Sequence, residues 1–291
     1  MKNSLIVSLV LTISAPAWAD LPLTVEDLIS DKGKFKLELS GSYSNRNTRQ
    51  VSSGDYLFIP TGATSFVAVP QVVGESRTNA DTVVGTMGLR YGVTKNADIY
   101  TRFSYLNQSS RSLDVHGDIS KNRESYFSDA WAGVNYELVK EGAKPALLGF
   151  AEVALREKHQ HNSASLKSAM LGITTYKAID PVVFSLTTAY QMGKSRKDGT
   201  QMYKPGNLWF ISPSVGFAVN DRVTLTTGMQ WATRQPGAWD GTARSYRATT
   251  TDLTLGVGYG LEKGESLNLT LKSNLSGGEG ADLRLSWIQT L

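Results

Sequence analysis

Phe35-Lys36-Leu37-Glu38-Leu39-Ser40-Gly41-Ser42-Tyr43 places an apolar or small residue at every odd position, a charged or hydroxyl residue at every even one, and an aromatic at each end. The same length between an opening apolar or small residue and a closing aromatic recurs in Ala97 to Tyr105, Val182 to Tyr190 and Val223 to Trp231. Period-two alternation marks a strand with one apolar and one polar face. Eight residues climb roughly 20 Å along a strand tilted ~40°. That is close to the height of the lipid-facing band of a transmembrane barrel, whose rims carry Tyr and Trp. A soluble sandwich alternates too, but nothing in its physics sets aromatics at that fixed height. The expected fold is all-β: a transmembrane, antiparallel, up-and-down β-barrel of about twelve strands, preceded by a short N-terminal helix.

The start of the chain agrees. Met1-Lys2-Asn3 is a short basic opening, Leu5 to Ile13 an apolar core, and Ala17-Trp18-Ala19 the small-x-small form that signal peptidase accepts. The core is too short to span a bilayer as a helix, so residues 1–19 read as a signal peptide and the mature chain begins at Asp20. There is no Cys, which excludes a lipid anchor on Cys and any disulfide. Composition alone points elsewhere: 41% hydrophobic and 19% charged residues look like an ordinary soluble protein. A barrel wall averages to such values because every second residue faces a polar lumen. Loss of Lys2 leaves 29 Lys and Arg against 26 Asp and Glu, a net charge too small to argue for nucleic acid.

The strands are expected near 35–48, 80–93, 97–107, 125–139, 145–156, 165–178, 182–192, 207–219, 222–233, 247–260, 266–275 and 281–291. Tight connections such as Thr94-Lys95-Asn96, Asp180-Pro181, Asn220-Asp221 and Glu262-Lys263-Gly264-Glu265 alternate with long ones at 49–79, 108–124, 157–164, 193–206 and 234–246. An even strand count puts both termini on one side, and short turns put that side in the periplasm. Residues 35–291 then form one barrel domain, behind an N-terminal periplasmic segment at 20–34. Parity sends Phe35, Leu37, Leu39 and Tyr43 to lipid, with Val83, Met87, Leu89 and Tyr91 beside them. The inward, pore-lining set carries the charges: Lys36, Glu38, Arg90, Arg102, Asp129, Glu152, Arg156, Asp252, Lys272 and Arg284, with Asp98 and Glu137 on the same faces. The sixth strand is ambiguous, since Leu171 and Ile173 share a face with Tyr176 only through a bulge.

Leu21 to Gly33 departs from the wall pattern. Thr24 is placed as an N-cap, Glu26 and Asp27 in the first turn, and Gly33 just past the end. Val25, Leu28 and Ile29 share one face at helical spacing, so the segment reads either as a leader or as a plug that enters the lumen.

The run from Leu23-Thr24-Val25-Glu26-Asp27-Leu28 through Leu37-Glu38-Leu39 resembles the start of the outer-membrane transporters of the MetA-pathway-of-phenol-degradation-like family. Leu89-Arg90-Tyr91-Gly92-Val93, the Asp180-Pro181 turn and Gly228-Met229-Gln230-Trp231 resemble later features of that family. The barrel domain of the channel that secretes Fap functional amyloid belongs to the same broad group. The resemblance implies twelve strands, a helical plug and transport through the lumen. This chain departs from the amyloid channel in having no long coiled-coil segment ahead of the barrel.

Chemistry is sparse. His161-Asn162-Ser163 has the His-x-Ser spacing of barrel-wall lipases, but neither 145–156 nor 182–192 offers an Asn or Asp to orient the imidazole. His159 and His161 lack a third metal ligand. No catalytic, cofactor or metal site is therefore assigned. Lys194, Arg196, Lys197 and Lys204 sit on a loop at the level of lipopolysaccharide phosphates. The expected partners are outer-membrane lipid and lipopolysaccharide, a transported solute or extended polypeptide, and copies of the chain itself as a homo-oligomer. The expected function is a narrow, polar outer-membrane channel, gated by the N-terminal helix. The alternatives are a secretion channel for an unfolded, amyloid-type polypeptide, and a barrel-wall lipase.

Overall fold

The computed structural model describes residues 29–53, 56–60, 66–70, 73–113, 118–159, 162–243, 245–262, 264–276 and 279–291. Among these, twelve long strands form the wall: β1 Phe35–Ser53, β2 Val73–Gly92, β3 Ala97–Leu113, β4 Ile119–Val139, β5 Ala146–His159, β6 Ser168–Ile179, β7 Val182–Gly193, β8 Leu208–Ala218, β9 Val223–Arg234, β10 Ala248–Gly260, β11 Glu265–Asn274 and β12 Glu279–Thr290. Each pairs antiparallel with its neighbours in chain order, and β1 pairs with β12 over Lys36↔Thr290 to Asn47↔Glu279, which closes the barrel. Closure satisfies every strand edge, the condition for spanning a bilayer with strands.

Alternation sets the two faces as expected. Leu39, Tyr43, Val83, Met87, Leu255 and Leu285 stand exposed on the outside, an apolar belt where a soluble protein would keep its polar groups. Among the described residues the buried apolar cluster is small, Ala146, Leu148 and Tyr176 on the inner face of β5 and β6. Tyr176 resolves the sixth strand: β6 pairs without interruption on both sides, and Tyr176 simply faces inward. No bulge is needed there. The register shifts elsewhere, between Ser104 and Tyr105 on the β3–β4 ladder and, on the β4–β5 ladder, between Ala130 and Trp131 and between Glu137 and Val139. The extra residues are Ser128 and Leu138 in β4 and Leu155 in β5.

β1 to β4 run well past the predicted ends. The β1–β2 ladder reaches Ser53↔Val73 and the β3–β4 ladder reaches Leu113↔Ile119. These extensions are rich in Ser, Asn, Thr and Arg, and above the membrane a hairpin no longer needs an apolar face to stay paired. Residues 193–206 and 234–246, expected as plain loops, contribute a four-stranded sheet of Arg196–Asp198, Gln201–Lys204, Ala238–Trp239 and Thr242–Ala243 at the same end. Tyr56–Pro60 and Phe66–Pro70 pair only with each other.

Among the described residues no helix is seen. Val25 and Leu28 lie outside the described residues, and residues 29–33, the last turn of the predicted helix, are non-helical. Gly33 has φ +80°, the left-handed conformation that suits glycine, but it serves a turn into β1.

Candidate functional site

Residues 29–34 fold inward at the short-turn end of the barrel. The Gly33 amide donates to the Gly92 carbonyl at 2.8 Å and the Gly92 amide to Lys34 O at 3.0 Å, so the segment is laced to the end of β2. Gly92 is required by this approach: a Cβ there would sit 2.0 Å from the Asp31 carbonyl oxygen and 2.5 Å from that of Ser30. One residue further in, the Ser30 amide donates to Asp98 Oδ2 at 2.8 Å. Asp98 and Ser30 are both fully buried. The other oxygen of Asp98 accepts from the Asn135 side-chain amide at 2.8 Å, and Arg90 lies 3.7 Å away. Ile29 then packs on Ala146, Leu148 and Tyr176. The chain before β1 therefore touches groups of β2, β3, β5 and β6, nearly half the circumference.

Beyond this rim the lumen is lined by paired charges. Arg102 donates to Glu152 at 3.1 Å, Tyr100 hydroxyl donates to the same carboxylate at 3.3 Å, and the Arg102 guanidinium lies 5.3 Å over the Trp131 ring. Arg90 sits 5.7 Å over Tyr100. On the other side, Arg284 donates to Glu38 and Ser40, each at 3.0 Å, and Lys272 pairs with Asp252 at 3.0 Å while donating to Gln230. Opposite charges on nearby strands thus neutralise one another, which removes a single-sign field from the bore.

The remaining predicted residues divide. Asp129 takes a hydrogen bond from Ser128, and Lys36, in register with Arg90, shares the inward parity of Glu38. Arg156 leaves the pore-lining set. The extra residue at Leu155 flips the strand, so Arg156 pairs with Ala130, lies 5.7 Å over Phe127 on the outward side, and donates to Ser163. Glu157 takes the inward place and binds Arg196 at 3.0 Å. Arg196 is itself buried, also donating to Ser168, so it is an internal strut beneath the outer sheet and not a loop cation. Glu157, Lys158, Arg196, Tyr203 and Arg234 line a polar cavity of about 200 Å³ there. Ser163 stands in the short strand Asn162–Ala164, and His161 lies outside the described residues. Tyr100, Trp131 and Asn135 were not anticipated. Their inward parity was readable, but an aromatic facing the lumen contradicts a rule that assigns aromatics to the lipid rims.

No family model matches the chain, and no curated protein matches it. The likeness lies in the fold. The COG4313 outer membrane channel from Pseudomonas putida F1 is 12% identical with a TM-score of 0.65, over 92% of this chain and 100% of that one. The transport unit of the autotransporter AIDA-I from Escherichia coli is 11% identical with a TM-score of 0.50, over 92% and 93% of the two chains. The chain has the architecture of an outer-membrane β-barrel.

Proposed function

We propose that the protein is an outer-membrane channel for small solutes whose periplasmic mouth is narrowed by its own N-terminal segment. The observation that carries this reading is the inward path of residues 29–34, tied to Gly92 and Asp98 and ending with Ile29 on the far wall. Twelve strands enclose a backbone cylinder of roughly 24 Å, which inward side chains reduce to about 10 Å. The segment narrows it further. A bore of this size with neutralised walls suits small solutes, and the likeness to the Pseudomonas putida channel supports transport over catalysis. In this reading residues 1–19 are the cleaved signal peptide, Val25 and Leu28 accompany Ile29 as the plug, and the ten charged positions of the sequence reading, less Arg156, line the path.

Anchoring of the segment is modest in energy. Ile29 is only partly buried, so it contributes less than the ~1.5–3 kcal/mol of a fully buried aliphatic side chain. A gate held by a few kcal/mol is one that a solute or a periplasmic partner can shift. In planar bilayers, deletion of residues 21–32 should leave the barrel folded and raise single-channel conductance several-fold, towards that of an unobstructed bore. Equal conductance of the full and deleted chains would show that the segment does not obstruct the path.

A further inference from the structure

The outer surface of the wall is not uniform. Gly41 pairs with Gly85 on one side and with Leu285 on the other, and a Cβ built on either glycine meets nothing within 4 Å. Two adjacent side chains are thus missing from the apolar belt. The result is an open groove of about 570 Å³ bordered by Leu39, Met87, Phe103, Tyr105, Leu285 and Trp287. Its walls are almost wholly carbon, and Leu39, Met87, Phe103, Tyr105 and Leu285 around it stand exposed on the lipid face.

Directly above the groove the same face changes character in steps. The next register row is Tyr43, Val83, Asn107 and Ser125; then come Asn45, Asp81, Ser109 and Arg123; then Asn47, Asn79, Arg111 and Lys121. The amides and hydroxyls are already oriented along the face, with Asn107 donating to Ser125 at 2.6 Å and Asn79 to Asn47 at 2.5 Å. Asp81, the carboxylate in these rows, is held by Tyr43 and Asn45, each at 2.7 Å. Arg111 stands opposite Lys121, with Arg123 one row below. All three are exposed, and among the described residues none makes an ion pair. Like charges directly opposite one another on a ladder destabilise it. Arg111 acts on the diagonal Asp81, whose carboxylate is already taken up by Tyr43 and Asn45. Three cations thus share one internal carboxylate and leave room for an anion from outside the chain.

We infer that this face is a binding site for one lipopolysaccharide molecule of the outer leaflet. An acyl chain fills the groove left by Gly41 and Gly85, sugar hydroxyls meet the Asn and Ser rows, and the phosphates or acidic sugars of the head bind Arg111, Lys121 and Arg123. The order of chemistry along the strands, hydrocarbon then amide and hydroxyl then cation, matches the order along that lipid. A glycerophospholipid carries its anionic group immediately above its chains, where this face offers Tyr43 and Asn107 and no cation. In the 193–206 segment Arg196 is spent on Glu157, while Lys194, Lys197 and Lys204 stay exposed, so that segment offers cations without an apolar groove beneath them. The inference rests on the membrane placement of the barrel and not on its pore, and its test reads no conductance.

The full mature chain is reconstituted in nanodiscs of neutral phospholipid and titrated with lipopolysaccharide or with phosphatidylglycerol. The readouts are binding and the temperature at which the folded gel band is lost. The two variants are Arg111→Gln/Lys121→Gln/Arg123→Gln and the groove-filling Gly85→Leu; heat-modifiable gel mobility verifies that each is folded. Lipopolysaccharide should bind the parent and raise its transition, and each variant should bind roughly tenfold more weakly, as loss of charge-assisted contacts or of the chain site implies. Phosphatidylglycerol should bind the parent no better than the variants. Equal binding of lipopolysaccharide to parent and variants would overturn the proposal. Equal protection of the parent by both lipids would overturn it as well, and needs no variant to fold.

Discussion

With its carboxylate enclosed at the inner rim, Asp98 gathers donors from three parts of the chain: the Ser30 amide, the Asn135 side chain and, at 3.7 Å, Arg90. A buried carboxylate is tolerated only when its lone pairs are taken up, and here they are. Asp98→Ala removes the acceptor and leaves a buried amide N–H and an Asn side chain without partners, at about 1–3 kcal/mol for each group left unsatisfied. The expected outcome is a lower unfolding midpoint in detergent together with a higher conductance, because the lost contacts fasten the N-terminal segment to the wall. A lower midpoint with unchanged conductance would make Asp98 a purely structural residue. The inward parity of Asp98 was legible from Ile99 and Arg102, but its partner was not. An amide three residues before a glycine turn carries no sequence signal, and only the folded path of residues 29–34 brings it within reach.

Among elements, the N-terminal segment depends most on close approach of backbone to backbone. Gly92→Ala is the sharpest probe of it, since the added Cβ would overlap the Asp31 and Ser30 carbonyls at 2.0 and 2.5 Å. β2 is locked on both sides by its ladders with β1 and β3, so the segment has to move. The barrel should keep its heat-modifiable mobility while residues near 29–33 become sensitive to protease; unchanged protection would mean that the segment relaxes in place. The hairpin of Tyr56–Pro60 and Phe66–Pro70 is the opposite case. It shares no ladder with the wall, so replacing residues 56–70 by a short turn should leave the unfolding midpoint within about 1 °C of the parent, as surface loops tolerate such changes. A drop of many degrees would reveal a supporting role.

Element by element, the wall strands from β5 to β12 fall within a few residues of their predicted positions because their apolar faces begin and end at the membrane. The first four do not, because pairing outside the bilayer leaves no alternation to read. Bulges are invisible for a related reason. The segment around Ser128 and that around Leu155 each look like ordinary alternation on both sides, with the phase change concealed in one residue. That concealed phase is what sent Arg156 to the outside and Glu157 to the inside.

At the scale of the whole molecule, a closed twelve-stranded barrel with an apolar exterior has one physical test that it cannot share with a soluble fold. Overexpressed protein should fractionate with outer membranes and run as a compact band in detergent that shifts on boiling. Recovery as a monodisperse periplasmic protein without detergent would overturn the membrane assignment.

The junction of β1 with β12 also bears on how such a molecule comes into being. Arg284 and Glu38 meet across 246 positions, and the amide of Leu291, just past β12, donates at 2.7 Å to the carbonyl of Phe35, the first residue of the wall. Loop closure over such a span costs entropy that no nearby contact refunds until the last strand arrives. A ribosome that stops early, or a protease that trims the tail, therefore releases a ribbon with two raw edges, adhesive to any other ribbon. Until β12 reaches β1 no part of the wall is free of an exposed edge, so pairing of these two strands is the event that separates a barrel from an adhesive sheet.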